Sequence, residues 1–314
     1  MFGFIRLGKV ISRFQEKQNL LTAKSFGKIN ITLEVIGRFP DGYHEIVSVM
    51  QAIELCDILS FKHNSSQNIN FQCNMPIIQN DQNLVFKAAR LLKGYSEHPY
   101  GADIHLEKII PVSSGLGGGS SNAAMTLLTL NQLWNLNLNQ DTLAMLAKKI
   151  GSDVAFFLNG PSCIAEQKGD KITQIKSVQP TNIVLVVPKI DLKEKTKNMY
   201  NRISLKDHTD GTLSFKTAKL IEAGKLPTRY PMYNVFKKVA IAEFPEISFA
   251  EKAMIESGAS QVQLSGSGPS LFTFTKSTNE SKRISEKLAA LGYNPIISKT
   301  LHKIDGYLAK NTSV

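Results

Sequence analysis

The stretch Pro111–Ala124 reads Pro-Val-Ser-Ser-Gly-Leu-Gly-Gly-Gly-Ser-Ser-Asn-Ala-Ala, and it places four glycines within five positions. Glycine has no side chain, so a bulky anion can approach the backbone amides of such a segment directly. Apolar residues at a spacing of three to four follow from Ala123 to Trp134, which predicts a helix directly after the glycines. A glycine loop that opens onto a helix is typical of a phosphate-binding site, because unpaired amides and the positive end of the helix dipole meet there.

The first turn of this helix has polar residues that could cap it, namely Ser120, Ser121 or Asn122. The loop differs from the common phosphate-binding loops, since the chain contains no Gly-Lys-Ser or Gly-Lys-Thr tripeptide. A dinucleotide-binding fingerprint would need glycine where Ser120 stands, and the His-Arg-Asp and Asp-Phe-Gly tripeptides of protein kinases are missing. Taken alone, the stretch could also be an ordinary glycine turn.

Composition limits the class of protein. The chain has 314 residues, 42% of them hydrophobic and 20% charged, which is typical of a globular protein with one large or two ordinary domains. No apolar run approaches the roughly 18 residues that a membrane-spanning helix needs. Cys56, Cys73 and Cys163 are isolated in the sequence, and the histidines show no metal-ligand spacing. These features favour a cytoplasmic protein without a structural metal.

The chain is basic, with a net charge of +11 from 37 basic and 26 acidic residues. Such a balance fits nucleic acid, a membrane surface or a phosphorylated substrate. The lysines are scattered along the sequence, and no recognisable RNA- or DNA-binding motif accompanies them. A solvated basic surface that helps to attract polyphosphates is the modest interpretation, and the charge alone does not decide between these partners. The partner expected is a small-molecule substrate, with no nucleic acid or membrane, for a monomer or homodimer.

In the first predicted strand, Ser25–Val35, polar and apolar side chains alternate, as they do in a half-buried strand. On such a strand, Lys28 and Asn30 should share one face with Thr32. A turn is predicted at Asp41–His44, where glycine and aspartate follow a proline.

The remaining elements are predicted from spacing and from glycine and proline stops. Helices are expected at Asn83–Leu92, Asn139–Ile150 and Thr196–Tyr200. Strands are expected at Ile104–Ile110, Ser152–Phe157 and Ile183–Val187, and a glycine turn between two strands at Gln263–Phe272.

Three of these blocks occur together in the order typical of the GHMP small-molecule kinases. They are the first strand with Lys28 and Asn30, the glycine loop, and the glycine turn, and the resemblance covers about residues 23–300. The resemblance implies an α+β, two-domain GHMP kinase fold, with a ribosomal-protein-like ATP-binding domain at residues 23–178 and a ferredoxin-like C-terminal domain at residues 179–314. Residues 1–22 would be an N-terminal extension, for which a targeting segment, a disordered tail and a misplaced start are open alternatives.

The resemblance also implies an ATP-dependent kinase that uses Mg²⁺. It makes Asp153 the general base and Lys28 its cationic neighbour. Ser121 is the expected Mg²⁺ ligand. By residue type alone, Lys108 could instead be a surface lysine of a strand. The family pattern assigns nucleotide binding to Asn83, Lys108, Pro111, Val112, Ser113, Ser114, Gly115, Leu116, Gly117, Gly118, Gly119, Ser120, Ser121 and Asn122.

The tetrapeptide Asp-Gly-Tyr-His at residues 41–44 is similar to one branch of this family, whose acceptor carries a cytidine. The resemblance implies that Tyr43 and Tyr200 stack on the two sides of the cytosine while His44 bonds to its polar edge. The acceptor would be a cytidine diphosphate-linked methylerythritol of the non-mevalonate isoprenoid route, phosphorylated on its 2-hydroxyl. The other substrate-binding residues implied are Asn30, Lys168 and Thr196.

Three alternatives stay open at this point. Another GHMP kinase would act on mevalonate or homoserine, but residues 41–44 argue against that acceptor. A nucleic-acid-binding protein is suggested by the net charge. A catalytically inactive, nucleotide-binding regulator is disfavoured by the presence of both Lys28 and Asp153.

Overall fold

The structure is a computed structural model that describes residues 20–76, 82–97, 99, 101–190, 195–225, 230–303 and 308–310, without the side chains of residues 195–197 and 308–310. Of the extension predicted for residues 1–22, residues 1–19 lie outside the described residues. The described chain begins with a strand at Leu20.

The described residues form strands and helices in a mixed order. The strands are β1 (Leu20–Arg38), β2 (His44–Asn64), β3 (Ile69–Cys73), β4 (Gly101–Glu107), β5 (Ser162–Gln167), β6 (Lys171–Gln174), β7 (Asn182–Val186), β8 (Tyr233–Asn234), β9 (Gln263–Leu264), β10 (Leu271–Thr275), β11 (Ile296–Lys299) and β12 (Leu308–Lys310). The helices are α1 (Leu84–Ser96), α2 (Gly118–Leu133), α3 (Gln140–Ile150), α4 (Ser152–Asn159), α5 (Lys195–Asn201), α6 (Thr212–Glu222), α7 (Phe236–Glu243), α8 (Pro245–Glu256) and α9 (Thr278–Ala290).

A long antiparallel hairpin of β1 and β2 is the centre of the larger, eight-stranded sheet. Its turn is the predicted one, with Gly42 at φ +87° and the Phe39 amide donating to the Tyr43 carbonyl at 2.7 Å. β2 pairs with β4 through its second half and with β5 through its first half. The other edge of β1 receives β12 near its start and β8 in parallel near Thr32.

The smaller sheet has the strand order β11-β7-β10-β9 and separates two hydrophobic cores. Because side chains alternate along a strand, Ile183 and Leu185 of β7 pack towards the larger sheet, while Val184 and Val186 pack towards α7, α8 and α9. On the opposite face of the larger sheet, α1, α2, α3 and α4 bury a third core. The molecule is therefore a stack of helices, sheet, sheet and helices.

Two sequence predictions about elements are wrong. Residues Ser152–Phe157, predicted as a strand, form the first three-quarters of helix α4. The segment is short and its four central side chains are buried, so its apolar run carried no period by which to tell a helix from a strand. The strand predicted to reach Ile110 ends at Glu107.

Two predictions about single residues, one at the start of α2 and one in β1, are also wrong. Helix α2 begins at Gly118 and its N-cap is Gly117, without a side-chain cap, so Ser120, Ser121 and Asn122 lie inside the helix. Thr32 does not share a face with Asn30, because a bulge shifts the register of β1 between them.

Thr32 instead faces α6, where its hydroxyl accepts a hydrogen bond from Ser214 at 2.8 Å. The other predicted helices, the strand near Ile183 and the glycine turn between β9 and β10 are confirmed. Among the described residues, no helix has both the length and the apolar character required to cross a bilayer.

Asn234 joins three parts of the fold from a buried position in β8. Its side-chain amide donates to the carbonyls of Leu264 and Gly266, both at 2.8 Å. Its side-chain oxygen accepts from the backbone amide of Phe236 at 2.9 Å, at the start of α7. Asn234 thus fixes the glycine turn relative to β8 and α7.

We expect Asn234→Ala to lower the free energy of unfolding by about 3 kcal/mol, because two carbonyls and one amide lose their buried partner. Urea denaturation measures this. Asn70→Ala, which removes an exposed side chain that donates to Asp103, is the control and should change stability by less than about 0.5 kcal/mol. Equal effects in the two variants would contradict the assigned role of Asn234.

Candidate active site

The glycine loop, residues 111–117, joins β4 to α2 and is held from two sides. The backbone amide of Lys28 in β1 donates to the Leu116 carbonyl at 2.8 Å. On the other side, the Ser270 amide donates to the Ser114 carbonyl at 3.1 Å, and the Ser265 hydroxyl donates to the Gly115 carbonyl at 3.0 Å. The loop is therefore fixed between β1 and the glycine turn.

Two glycines of the loop are required by close approach as well as by backbone angle. Gly115 has φ +83° and Gly117 has φ +71°, which is the left-handed region that other residues adopt only at a cost. A Cβ atom on Gly115 would overlap the Ser265 carbonyl oxygen, and one on Gly117 would lie 2.9 Å from Cγ of Lys28. The glycines let the loop pack directly against the side chain of Lys28.

The residues of the loop and of the first turn of α2 differ in their exposure. Ser114, Leu116, Ser121 and Asn122 are buried, whereas Val112, Ser113 and Gly119 are exposed and Pro111, Gly115, Gly117 and Ser120 are half-buried. The Ser25 hydroxyl lies 2.8 Å from Oγ of Ser121 and 2.6 Å from Oδ1 of Asn122, beneath the helix start. At the buried positions a nucleotide would thus meet only backbone, and the roles predicted for the single side chains stay predictions.

Lys28 and Asp153 meet beside the loop, although they are far apart in the sequence. Nζ of Lys28 lies 3.3 Å from Oδ2 of Asp153, and it donates to Oδ1 of Asn30 at 2.6 Å. Lys28 is 3% exposed, whereas the Asp153 side chain is 40% exposed. The lysine is therefore a fixed, buried cation, and the carboxylate in the first turn of α4 is open to a substrate.

The residues predicted to hold the acceptor form two contacting groups. His44 stacks on Tyr200 with ring centroids 5.0 Å apart and an interplanar angle of 24°. Tyr43 is 64% exposed, and Nζ of Lys168 lies 4.6 Å from its ring centroid while pairing with the Asp41 carboxylate.

The residues predicted to hold the acceptor lie near Asp153. Burial raises the pKa of the Tyr200 phenol, and the nearby negative charge of Asp153 raises that pKa further. Gly169, next to Lys168, would place a Cβ atom 3.7 Å from Cβ of Ser152. The side chain of Thr196 lies outside the described residues, although its backbone belongs to α5.

His44 has an environment that favours its neutral form. Burial lowers the pKa of its imidazole, and the positive charge of Arg38 and the neighbouring His208 lower that pKa further. A neutral imidazole has one donor and one acceptor nitrogen, which suits the edge of a base.

Asn83 and Lys108 lie at the base of the glycine loop. Asn83 is the N-cap of α1, where its side chain accepts from the Val85 amide at 2.9 Å. A Cβ atom on Gly119 would lie 3.7 Å from Leu84, so the starts of α1 and α2 are adjacent. Lys108 is 8% exposed, which excludes the alternative of a surface lysine.

Comparison with known proteins places this geometry in a family. Two family models match the chain, GHMP kinases N terminal domain at residues 83–161 and GHMP kinases C terminal at residues 218–294. A 4-diphosphocytidyl-2-C-methyl-D-erythritol kinase of Dehalococcoides mccartyi is 34% identical over 287 residues, which cover 91% of this chain and 100% of the relative. The chain belongs to the GHMP kinase family.

Two further similarities point in the same direction. A 4-diphosphocytidyl-2-C-methyl-D-erythritol kinase of Thermodesulfovibrio yellowstonii is 38% identical over 274 residues, covering 84% of this chain and 93% of the relative. A crystal structure of 4-(cytidine 5'-diphospho)-2C-methyl-D-erythritol kinase has a TM-score of 0.77 at 28% identity, covering 89% of this chain and 98% of that chain. The predicted α+β GHMP kinase fold is confirmed.

Sequence reasoning missed several residues that shape this GHMP kinase site. Ser25 lies beneath the start of α2, Asp57 contacts Lys108, and Asn234 holds the glycine turn. His208 lies edge-on to His44, with ring centroids 6.5 Å apart. Each of these residues acts through a contact with a distant segment. The one feature of the sequence that could have pointed to such a residue is the charged Asp57 within a largely apolar strand.

We expect Gly117→Ala to lower the free energy of unfolding by about 2 kcal/mol, since the new methyl group must adopt a left-handed backbone and displaces Lys28. Gly94→Ala is the matched control, because nothing lies within 4 Å of its Cβ position in α1. It should stabilise the protein by about 0.5–1 kcal/mol. Urea unfolding of both variants checks this, and a Gly117→Ala protein as stable as the parent would contradict the packing described.

We expect His44→Gln to reduce the loss of stability on acidification. Because the folded state lowers the pKa of His44 below its ordinary value of 6.5, the unfolded chain takes up this proton at higher pH than the folded chain does. Stability due to His44 therefore falls as pH drops from about 6.5 to the lowered folded-state pKa.

Thermal unfolding measured from about pH 7 to about pH 5 checks this window. His105→Gln, which removes an exposed histidine of β4, is the control for the loss of one imidazole. If acid destabilised the His44→Gln and His105→Gln proteins equally, the expectation for His44 would be refuted.

Proposed function

We propose that this chain transfers the γ-phosphoryl group of ATP to the 2-hydroxyl of 4-diphosphocytidyl-2-C-methyl-D-erythritol. The observation that carries this proposal is the Lys28–Asp153 pair, 3.3 Å apart, directly against the glycine loop. The names of relatives that match 84–91% of the chain supply the acceptor. The reaction would serve isoprenoid biosynthesis by the non-mevalonate route.

The glycine loop is proposed to hold the ATP phosphates through its backbone. The side chains of Leu116 and Ser121 are buried, so at these two positions an anion can meet only the backbone. The start of α2 adds the positive end of a helix dipole. Phosphoryl transfer depends mostly on such positioning and on charge stabilisation.

Asp153 is proposed to take the proton of the acceptor hydroxyl. The oxygen then forms a bond to the γ-phosphorus, the bond from that phosphorus to the bridging oxygen breaks, and ADP leaves with the electron pair. The buried ammonium of Lys28 stabilises the negative charge that develops on the acceptor oxygen. Asn30 keeps this ammonium in place through its 2.6 Å hydrogen bond.

The residues beside the loop fit a Mg²⁺ ion that arrives with the nucleotide. Mg²⁺ takes oxygen ligands and is often held by one or two carboxylates together with phosphates and water. Within the described ranges no group of three His, Cys, Asp or Glu side chains could hold a metal, and the proposed protein ligand is the Ser121 hydroxyl in the first turn of α2. Ser121 would have to turn away from Ser25 to be a ligand. When bound, the ion would neutralise charge on the phosphates.

The cytidine end is proposed to lie against Tyr43, His44 and Tyr200. A neutral His44 can both donate and accept at the base edge, and the exposed ring of Tyr43 offers a stacking face. The backbone near Lys168, and Thr196, are the other proposed contacts to the substrate. Binding far from the reacting hydroxyl would orient it towards Asp153.

We also propose the division into domains at residues 23–178 and 179–314, with residues 1–22 as an extension. β7, which belongs to the smaller sheet, follows this boundary directly, whereas β8 and β12 return to the larger sheet. A cytoplasmic location is proposed from the three free thiols of Cys56, Cys73 and Cys163. The protein would act on a small molecule as a monomer or homodimer, without nucleic acid or membrane partners.

The proposal is tested by incubating the purified full chain with Mg-ATP and each of three acceptors. These are 4-diphosphocytidyl-2-C-methyl-D-erythritol, mevalonate and homoserine, with phosphorus NMR to identify the product. A new phosphate monoester on the 2-oxygen of the first acceptor supports the proposal. Turnover of mevalonate or homoserine alone would replace it with another GHMP kinase activity.

We expect Asp153→Asn to lower kcat by about a hundredfold or more, because the amide cannot accept the proton. Asp170→Asn is a matched control, since Asp170 also pairs with a lysine, Lys148, at 3.4 Å but belongs to the turn before β6. It should keep kcat within about twofold. Steady-state kinetics with the cytidine acceptor measure kcat of both variants. A near-normal kcat in Asp153→Asn would contradict the assignment of Asp153 as the general base.

A further inference from the structure

Asp57 is a fully buried carboxylate of β2 that the mechanism above does not use. Its Oδ1 atom accepts from the backbone amides of Ile109 and Ile110, both at 2.7 Å. Its Oδ2 atom lies 2.8 Å from Nζ of Lys108. One side chain therefore receives three donors from the segment that leads into the glycine loop.

The position of Asp57 explains why β4 ends where it does. The ladder between β2 and β4 runs as far as the pair Ile58 and Glu107. One residue further along, the carboxylate of Asp57 takes the place of a strand backbone and binds the amides of Ile109 and Ile110. The chain is thereby turned out of the sheet and into the loop.

Lys108 is held under the first residue of α2 by the same contact. Its ammonium also donates to the Ile110 carbonyl at 2.6 Å. A Cβ atom on Gly118 would lie 2.9 Å from Nζ of Lys108 and 3.1 Å from Cγ2 of Ile110. A fixed cation thus lies against the start of α2, where positive charge favours an anion.

We propose that Asp57 is a positioning residue for nucleotide binding, acting through Lys108 and the segment that leads into the loop. This inference rests on the proposed function only in taking the loop as the nucleotide site. Removing the carboxylate charge would leave the ammonium of Lys108 buried without its counter-ion, which is unfavourable, so the lysine and the loop entry would move. Nucleotide affinity should fall, whereas the residues proposed to hold the acceptor lie at the opposite end of β2, at His44, and on α5, at Tyr200.

The test is calorimetric titration of the full chain with ADP in the absence of acceptor. We expect Asp57→Asn to weaken ADP binding at least tenfold and to leave the KM for the cytidine acceptor within twofold. Asp103→Asn is the matched control. Asp103 lies in β4, and its carboxylate accepts from Asn64 at 2.8 Å and Asn70 at 2.7 Å, away from the loop. The control should keep ADP affinity within twofold.

A double-mutant cycle with Lys108→Met separates positioning from a general loss of stability. If Asp57 acts through Lys108, the Asp57→Asn/Lys108→Met protein should bind ADP no more weakly than the weaker single variant. Full additivity, or an Asp57→Asn protein that unfolds at lower temperature but binds ADP like the parent, would overturn the inference.

Should Asp57→Asn fail to fold, Lys108→Met alone decides the matter. At least a fivefold loss of ADP affinity supports the inference, and unchanged affinity overturns it. Because ADP binding is measured without acceptor, its dependence on Asp57 can hold even if the proposed acceptor proves to be another alcohol. Phosphorylation of the cytidine acceptor with ADP affinity indifferent to Asp57 would overturn this inference alone.

Discussion

The close approach of the glycine loop to two other segments is the constraint on which the site depends. The backbone at Gly115 touches the turn that contains Ser265, and the backbone at Gly117 lies against the side chain of Lys28. Any side chain at these two positions would separate the segments. Since Lys28 belongs to β1 and Ser265 follows β9, this contact joins the larger sheet to the smaller one at the glycine loop.

The rest of the fold holds these segments in place. The core between the two sheets packs Ile29 and Ile31 of β1 against Leu116 of the loop and Phe272 of β10. The core beneath the helices fixes α2 and α4, and with them the loop and Asp153. A buried polar network of Ser25, Ser121 and Asn122 gives the start of α2 a defined position without a side-chain cap.

Local chemistry allowed much of this fold to be predicted. Glycine spacing indicated the loop, the apolar period of Ala123–Trp134 predicted the helix after it, and Asn83 was expected at a helix start, which it caps. The family resemblance, rather than local chemistry, pointed to Asp153 as the partner of Lys28, and the two side chains are 3.3 Å apart. The segment of Asp153 was predicted as a strand, because a short apolar run is compatible with either element when it is fully buried.

Features that depend on tertiary contacts could not be predicted from the sequence. The bulge in β1 that turns Thr32 towards Ser214 is a property of the pairing with β2, and no residue type in this stretch indicates a bulge. The burial of Lys108 depends on Asp57, which is 51 residues earlier in the chain. The stacking of His44 on Tyr200 likewise requires β2 and α5 to be brought together.

The central claim is that Lys28 and Asp153 face the reacting atoms at the mouth of the glycine loop. A crystal structure of the full chain with a non-hydrolysable ATP analogue and 4-diphosphocytidyl-2-C-methyl-D-erythritol tests it most directly. We expect the acceptor 2-hydroxyl within hydrogen-bonding distance of the Asp153 carboxylate, roughly 2.6–3.2 Å, and in line with the γ-phosphorus. An acceptor hydroxyl, or a γ-phosphate, bound away from both Lys28 and Asp153 would contradict the account.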